Sequence, residues 1–144
     1  MNDFVIDQNL PPLIRPGNYK VMLDYYQTAI MFGKAPKLIL HFKVTSFGEG
    51  FGSWIPRYYN VQKLIGKGKK NGRFKVSKSG DFLREYLSLF PARTKRLDRL
   101  PMTRFKNVII EAEIVTVKES RGRSLPEPLR YSKIGKLLRV IDGD

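Results

Sequence analysis

Ser79-Gly80-Asp81-Phe82-Leu83-Arg84-Glu85-Tyr86-Leu87-Ser88-Leu89-Phe90-Pro91 is the stretch on which the fold turns. Phe82, Leu83, Tyr86, Leu87 and Phe90 fall at i, i+1, i+4, i+5 and i+8, which draws one apolar stripe along a helix. Ser79 stands where an N-cap belongs, Asp81 lies in the first turn where a negative charge meets the helix dipole, and Pro91 stops the run. Around this helix the sequence alternates with the period of strands instead.

Three strands are predicted upstream. From Gly17, Tyr19, Val21, Leu23 and Tyr25 alternate with Lys20, Met22, Asp24 and Tyr26. After the turn Gly33-Lys34-Ala35-Pro36, Leu38, Leu40, Phe42 and Val44 alternate with Ile39, His41, Lys43 and Thr45. Gly48-Glu49-Gly50 signals a hairpin. Residues 54–61 read as a third strand, which Pro56 confines to an edge or a bulged position. A short strand fits residues 74–76. Two strands are predicted downstream. Val108, Ile110, Ala112, Ile114 and Thr116 hold one parity of the first. A loop with Arg121-Gly122-Arg123 leads to the second, over residues 131–141, where Ile134, Leu138 and Val140 share a parity. Residues 92–104 are basic and irregular. Pro11, Pro12 and Pro16 mark residues 1–16 as an N-terminal arm, leaving one domain over 17–141.

The expected class is therefore mainly β: five strands, with one helix between strands three and four. That is the connectivity of a five-stranded oligonucleotide-binding (OB)-like barrel, and other five-stranded α+β meanders share it.

Composition narrows the chemistry. The 144 residues include 27 Lys and Arg against 13 Asp and Glu, one His and no Cys, for a net charge of +14. Without Cys there is no disulfide framework, thiol chemistry or Cys-ligated metal, and one His excludes the two-His metal motifs. No cofactor or metal is expected. The N-terminus has no long apolar run and no segment reaches the length of a membrane span, so a soluble cytoplasmic domain without membrane contact is the expectation. The charge is focused: residues 61–107 carry 14 basic and 3 acidic residues, whereas residues 1–60 and 108–144 net only +2 and +1. Cations gathered in one segment point to an anionic partner, nucleic acid first.

Pro16-Gly17-Asn18-Tyr19, Leu38-Ile39-Leu40-His41-Phe42-Lys43-Val44, residues 52–61 with Arg57-Tyr58-Tyr59-Asn60, and Arg130-Tyr131-Ser132 carry a resemblance. Over residues 16–141 the chain resembles the OB-fold single-stranded-DNA-binding proteins of phages, plasmids and other mobile elements. The likeness is one of pattern, and it implies binding of single strands with little sequence preference in support of replication or recombination. It departs from the family in the long basic stretch after the helix. The short ending Asp142-Gly143-Asp144 also replaces the acidic tail by which cellular members recruit partners.

Single-strand binding needs cations for phosphates and aromatic faces for bases. With Leu38, Leu40, Phe42 and Val44 turned inward, His41 and Lys43 face out. On the third strand Trp54 and Tyr58 share one face and Arg57 and Tyr59 the other; Pro56 leaves open which is exposed, so all four are candidates. Lys20 and Tyr26 share the outward parity of the first strand, Lys34 sits in the first turn, and Arg121 and Arg123 sit in the loop before the last strand. Lys67, Lys69, Lys70 and Arg73 belong to a glycine-rich basic loop. That loop lacks the Gly-Lys-Ser/Thr of a nucleotide P-loop and the G-x-G-x-x-G of a dinucleotide site. Glu111 and Glu113 share a strand face but have no third acid for a catalytic metal, and no nucleophile elbow occurs, so no enzyme is expected.

The partner expected is single-stranded DNA, with RNA, a homo-oligomer and replication or recombination proteins left open. The alternative is a protein-interaction module for an acidic host or replication protein. A small nuclease using Glu111 and Glu113 and a structured-RNA binder are the remaining rivals.

Overall fold

The computed structural model describes residues 3, 12–91 and 100–142. The basic run Arg93, Lys95, Arg96 and Arg99, most of the N-terminal arm, and Gly143-Asp144 lie outside the described residues.

The chain is mainly β with one α-helix. Strands β1 (Gly17–Met31), β2 (Ala35–Val44), β3 (Trp54–Asn60), β6 (Ile109–Val117) and β9 (Tyr131–Asp142) form one antiparallel sheet in the order β3-β2-β1-β6-β9. Two small hairpins decorate it: β4 (Lys63–Ile65) with β5 (Arg73–Lys75), and β7 (Glu119–Ser120) with β8 (Arg123–Ser124). Helix α1 (Asp81–Leu89) stands between the third and fourth strands of the main sheet, as the apolar stripe predicts. Its N-cap is Gly80 rather than Ser79, and no side chain caps it.

The core follows the alternation. Leu38, Leu40, Phe42 and Val44 of β2 are buried, against Val21 of β1, Ile55 of β3, Ile110 and Ile114 of β6 and Ile134 of β9. Phe82 of α1 meets Tyr59 edge-on at 5.1 Å, and Tyr86 meets Phe105 at 5.9 Å. Pro12 and Ile14, at the end of the predicted arm, join this framework. The carbonyl of Pro12 accepts the Ser132 N–H at 2.9 Å, the Ser132 hydroxyl bonds the Ile14 backbone, and the Ile14 side chain is buried.

Two irregularities change which residues face the core. In β1 the register slips between Leu23 and Tyr25, so Asp24 is the extra residue of a bulge. Tyr26 then lies opposite Leu40 on the core side and Tyr25 opposite His41 on the outer side. The outward placement of Tyr26 read from uninterrupted alternation is thereby corrected. In β9 three slips bypass Gly135, Leu138 and Ile141, so Leu137 rather than Leu138 faces the core. Pro56 causes no slip: β2 and β3 pair in continuous register, and the proline is accommodated because β3 is an edge strand.

The two edge strands, β3 and β9, run alongside each other without ladder hydrogen bonds, and α1 packs across both. One α1 side chain spans the seam. Glu85 Oε2 lies 2.5 Å from Arg57 Nη2, and Glu85 Oε1 accepts from the Tyr59 hydroxyl at 3.2 Å and from the Leu137 N–H at 2.8 Å. Arg57 and Tyr59 thus belong to the interior, which corrects their place among the exposed candidates. Burial alone would lower the Arg57 guanidinium, but its hydrogen bond and charge pairing with Glu85 and its contact with Tyr59 hold it above its ordinary value. Burial first, and then the Glu85 charge, push the Tyr59 phenol far up, so it stays protonated. No helix among the described residues is long and apolar enough to cross a membrane.

Candidate nucleic-acid interface

The outer face of β1, β2 and β3 is organised in rows set by strand register. Met22, Lys43 and Trp54 form the first row; Tyr25, His41 and Pro56 the second; Gln27, Ile39 and Tyr58 the third; Ala29, Lys37 and Asn60 the fourth. Side chains in a row stand about 5 Å apart and successive rows about 7 Å apart. That brings the candidates His41, Trp54 and Tyr58 onto one surface with Lys43.

Trp54 keeps 59% of its surface exposed beside the exposed Lys43. The Tyr25 and His41 rings stack with centroids 4.3 Å apart and planes 13° apart, and the Lys70 ammonium lies 5.2 Å from the Tyr25 centroid. Burial lowers the His41 imidazole below its ordinary value, opposed by the Asp24 carboxylate, so the ring is neutral at pH 7. Its Nε2 is buried without a hydrogen-bond partner. Tyr58 is half-buried; burial, and then the nearby Tyr131, raise its phenol. Lys37 hydrogen-bonds Asn60 at the far end of the face.

The glycine-rich basic loop is docked beside this face. The Lys69 carbonyl accepts the Thr28 N–H at 3.0 Å, and the Tyr26 carbonyl accepts the Asn71 N–H at 3.0 Å. A Cβ on Gly72 would fall 2.1 Å from Thr28 Oγ1, so this glycine is required for close packing against β1. Lys67, Lys69, Lys70 and Arg73 are all exposed there.

At the far end two loops meet. Arg121 and Gly122 have φ values of 53° and 75°, the left-handed pair of a type I′ turn joining β7 to β8. The Arg121 guanidinium lies 5.4 Å from the ring centroid of Phe32, which is 66% exposed in the β1–β2 turn next to Lys34. Arg123 is exposed on β8. In the β2–β3 loop, Phe47 and Phe51 stack at 5.5 Å and 11° while 94% and 58% exposed.

The structure therefore gathers His41, Lys43, Trp54, Tyr58 and Lys70 around one face, with Lys34 and Arg121 at its end. Lys20 is exposed on the same side of β1 but borders β6, opposite Glu111, whose carboxylate pairs with Arg139 at 3.1 Å. Tyr26, Arg57 and Tyr59 face inward. Tyr25, Phe32, Lys37, Phe47 and Phe51 were not among the candidates read from sequence. Phe47 and Phe51 did carry a signal: two aromatics flank the polar turn Gly48-Glu49-Gly50, outside any apolar period.

Comparison of the chain with family models, with characterised proteins and with solved structures gives no match.

Proposed function

We propose that this chain is a non-catalytic single-stranded-DNA-binding protein built on an OB-like barrel. The strand order β3-β2-β1-β6-β9, with β3 and β9 side by side under α1, supports the barrel. The observation that carries the function is the outer face of β1–β3, where exposed Trp54 and the Tyr25–His41 stack stand among Lys43, Lys70 and Lys37. An indole exposed to water on a sheet, with a half-buried stacked pair on the same face, suits base stacking, and the neighbouring ammonium groups suit phosphates.

Titration with labelled oligo-dT at two salt concentrations tests the reading. Binding that weakens steeply with salt and quenches Trp54 emission is expected. Absence of binding at low salt overturns it. Competition with RNA and duplex DNA of equal length then ranks the partners.

A further inference from the structure

β1 loses its strand partner midway. Its pairing with β6 ends at Met22, opposite Ile109, and the basic loop first bonds it at Tyr26. Between these points lies the Asp24 bulge, and no described strand pairs with that edge of β1. The gap opens into a cleft of about 500 Å³, walled by Asp24, Tyr25, Lys70, Met102, Lys106 and Asn107. That size falls in the range of small-molecule sites.

The lining is specific in its chemistry. Met102 offers an apolar contact to a flat ring, and Tyr25, already stacked on His41 and approached by the Lys70 ammonium, walls its side. Lys70 and Lys106 offer positive charge to a phosphate. Asp24 and Asn107 offer hydrogen-bonding groups to a base edge. Tyr25 also belongs to the outer face through its stack on His41, so the cleft opens directly off the proposed binding track. A strand lying across that face can turn one base aside into it.

Asp24 decides which base. A carboxylate only accepts hydrogen bonds. Guanine presents two adjacent donors on its Watson–Crick edge, N1–H and the N2 amino group, and meets a carboxylate in a fork. Thymine presents one N–H between two carbonyls, which the carboxylate repels. We propose that this cleft takes a single guanine nucleotide of the bound strand, giving a base preference to a surface that otherwise binds without one. The proposal rests on the single-strand-binding reading above.

The test uses the full chain and an oligo-dT host in which one central dT is replaced by dG, dA or dC. The dG substitution is expected to tighten binding about tenfold, the scale of one good two-pronged base contact. In Asp24→Asn the gain from dG should fall to near unity, with binding of unsubstituted oligo-dT at least as tight as before. Asn107→Gly, which suits the left-handed backbone there (φ 58°), should also reduce the gain and serves if the first variant does not fold. Equal binding of the dG and dT strands by the unmodified protein overturns the guanine site alone. So does a dG preference that survives Asp24→Asn. Failure to bind oligo-dT at all overturns the single-strand reading and this proposal with it.

Discussion

Glu85 Oε1 accepts the backbone N–H of Leu137 at 2.8 Å, so a carboxylate from α1 supplies a contact that an edge strand would otherwise draw from a neighbouring strand. Its other oxygen holds Arg57 of β3. The sheet's two edges are thus joined through a helical side chain rather than a ladder, and the outer face of β3 is held in place from behind. A buried charge pair is a costly way to close a seam, and it is tolerable here because Tyr59 and the Leu137 N–H satisfy the carboxylate as well.

Removing Glu85 should therefore strand a buried guanidinium. Glu85→Ala is expected to cost about 3 kcal/mol, the low end for breaking a buried pair. The low end applies because the Arg57 side chain retains 14% exposure. Replacing both partners, Arg57→Met with Glu85→Leu, should recover only part of that loss, because the Leu137 N–H and the Tyr59 hydroxyl still lose their acceptor. Denaturant midpoints of the two variants check the ordering. The double variant should still bind oligo-dT, because Arg57 does not face the track.

Trp54 should behave in the opposite way. It is 59% exposed, so Trp54→Ala should leave the denaturation midpoint nearly unchanged. Its loss should weaken oligonucleotide binding by about 1–3 kcal/mol, the value of one stacked base. Calorimetry on the folded variant separates the two effects. A variant that binds as tightly as the parent removes Trp54 from the track.

Much of this division was readable before any coordinates. The four inward residues of β2 follow from strict alternation, and α1 follows from the stripe Phe82 to Phe90. What alternation alone did not reveal were the slips. A bulge adds one residue and reverses every later side chain, and nothing in Leu23-Asp24-Tyr25-Tyr26 announces it, so Tyr25 and Tyr26 exchange roles. The exposed face of β3 stays open in the sequence for a different reason: Pro56 allows a bulge, and Glu85, the partner that buries Arg57, lies 28 positions away on another element. Gly72 shows a third limit: glycines that resemble a phosphate loop are there to clear Thr28.

His41 gives a pH test with a definite sign. Its folded value lies below the ordinary 6.5, chiefly through burial, whereas the unfolded chain titrates near 6.5. Below that pH the unfolded state binds a proton that the folded state resists, so folding stability should decline as pH falls from 6.5 and be insensitive to His41 above it. His41→Phe keeps a ring against Tyr25 and removes the titration. The acid-side slope of the denaturation midpoint should flatten in that variant, and an unchanged slope excludes His41 as its source.

Gly72→Ala tests the docking of the basic loop. The added methyl meets Thr28 Oγ1 at 2.1 Å and the Lys69 carbonyl at 2.9 Å, so the loop must shift away from β1. A cost of about 1–3 kcal/mol is expected, as for overpacking elsewhere. Displacing the loop also carries Lys70 off Tyr25, so oligonucleotide affinity should fall together with stability. Hydrogen exchange at the Thr28 and Asn71 amides reports the shift directly, because both donate across that contact.

The salt dependence of binding finally sorts the cations one by one. Each phosphate neutralised on a single strand contributes about 0.7 to the slope of log affinity against log salt. Lys43 and Lys70 border the exposed rings, and Arg121 stands over Phe32 at the end of the face. Lys43→Ala, Lys70→Ala and Arg121→Ala should each lower the slope by about 0.7, and the triple variant by about 2, since the three sites lie on separate elements. Arg139→Ala is the contrast. Its guanidinium pairs with Glu111 at the β6–β9 side of the sheet, and its loss should leave the slope where it was. A slope that responds equally to all four substitutions would mean that the charge acts as a diffuse cloud and that the rows on β1–β3 do not define the track.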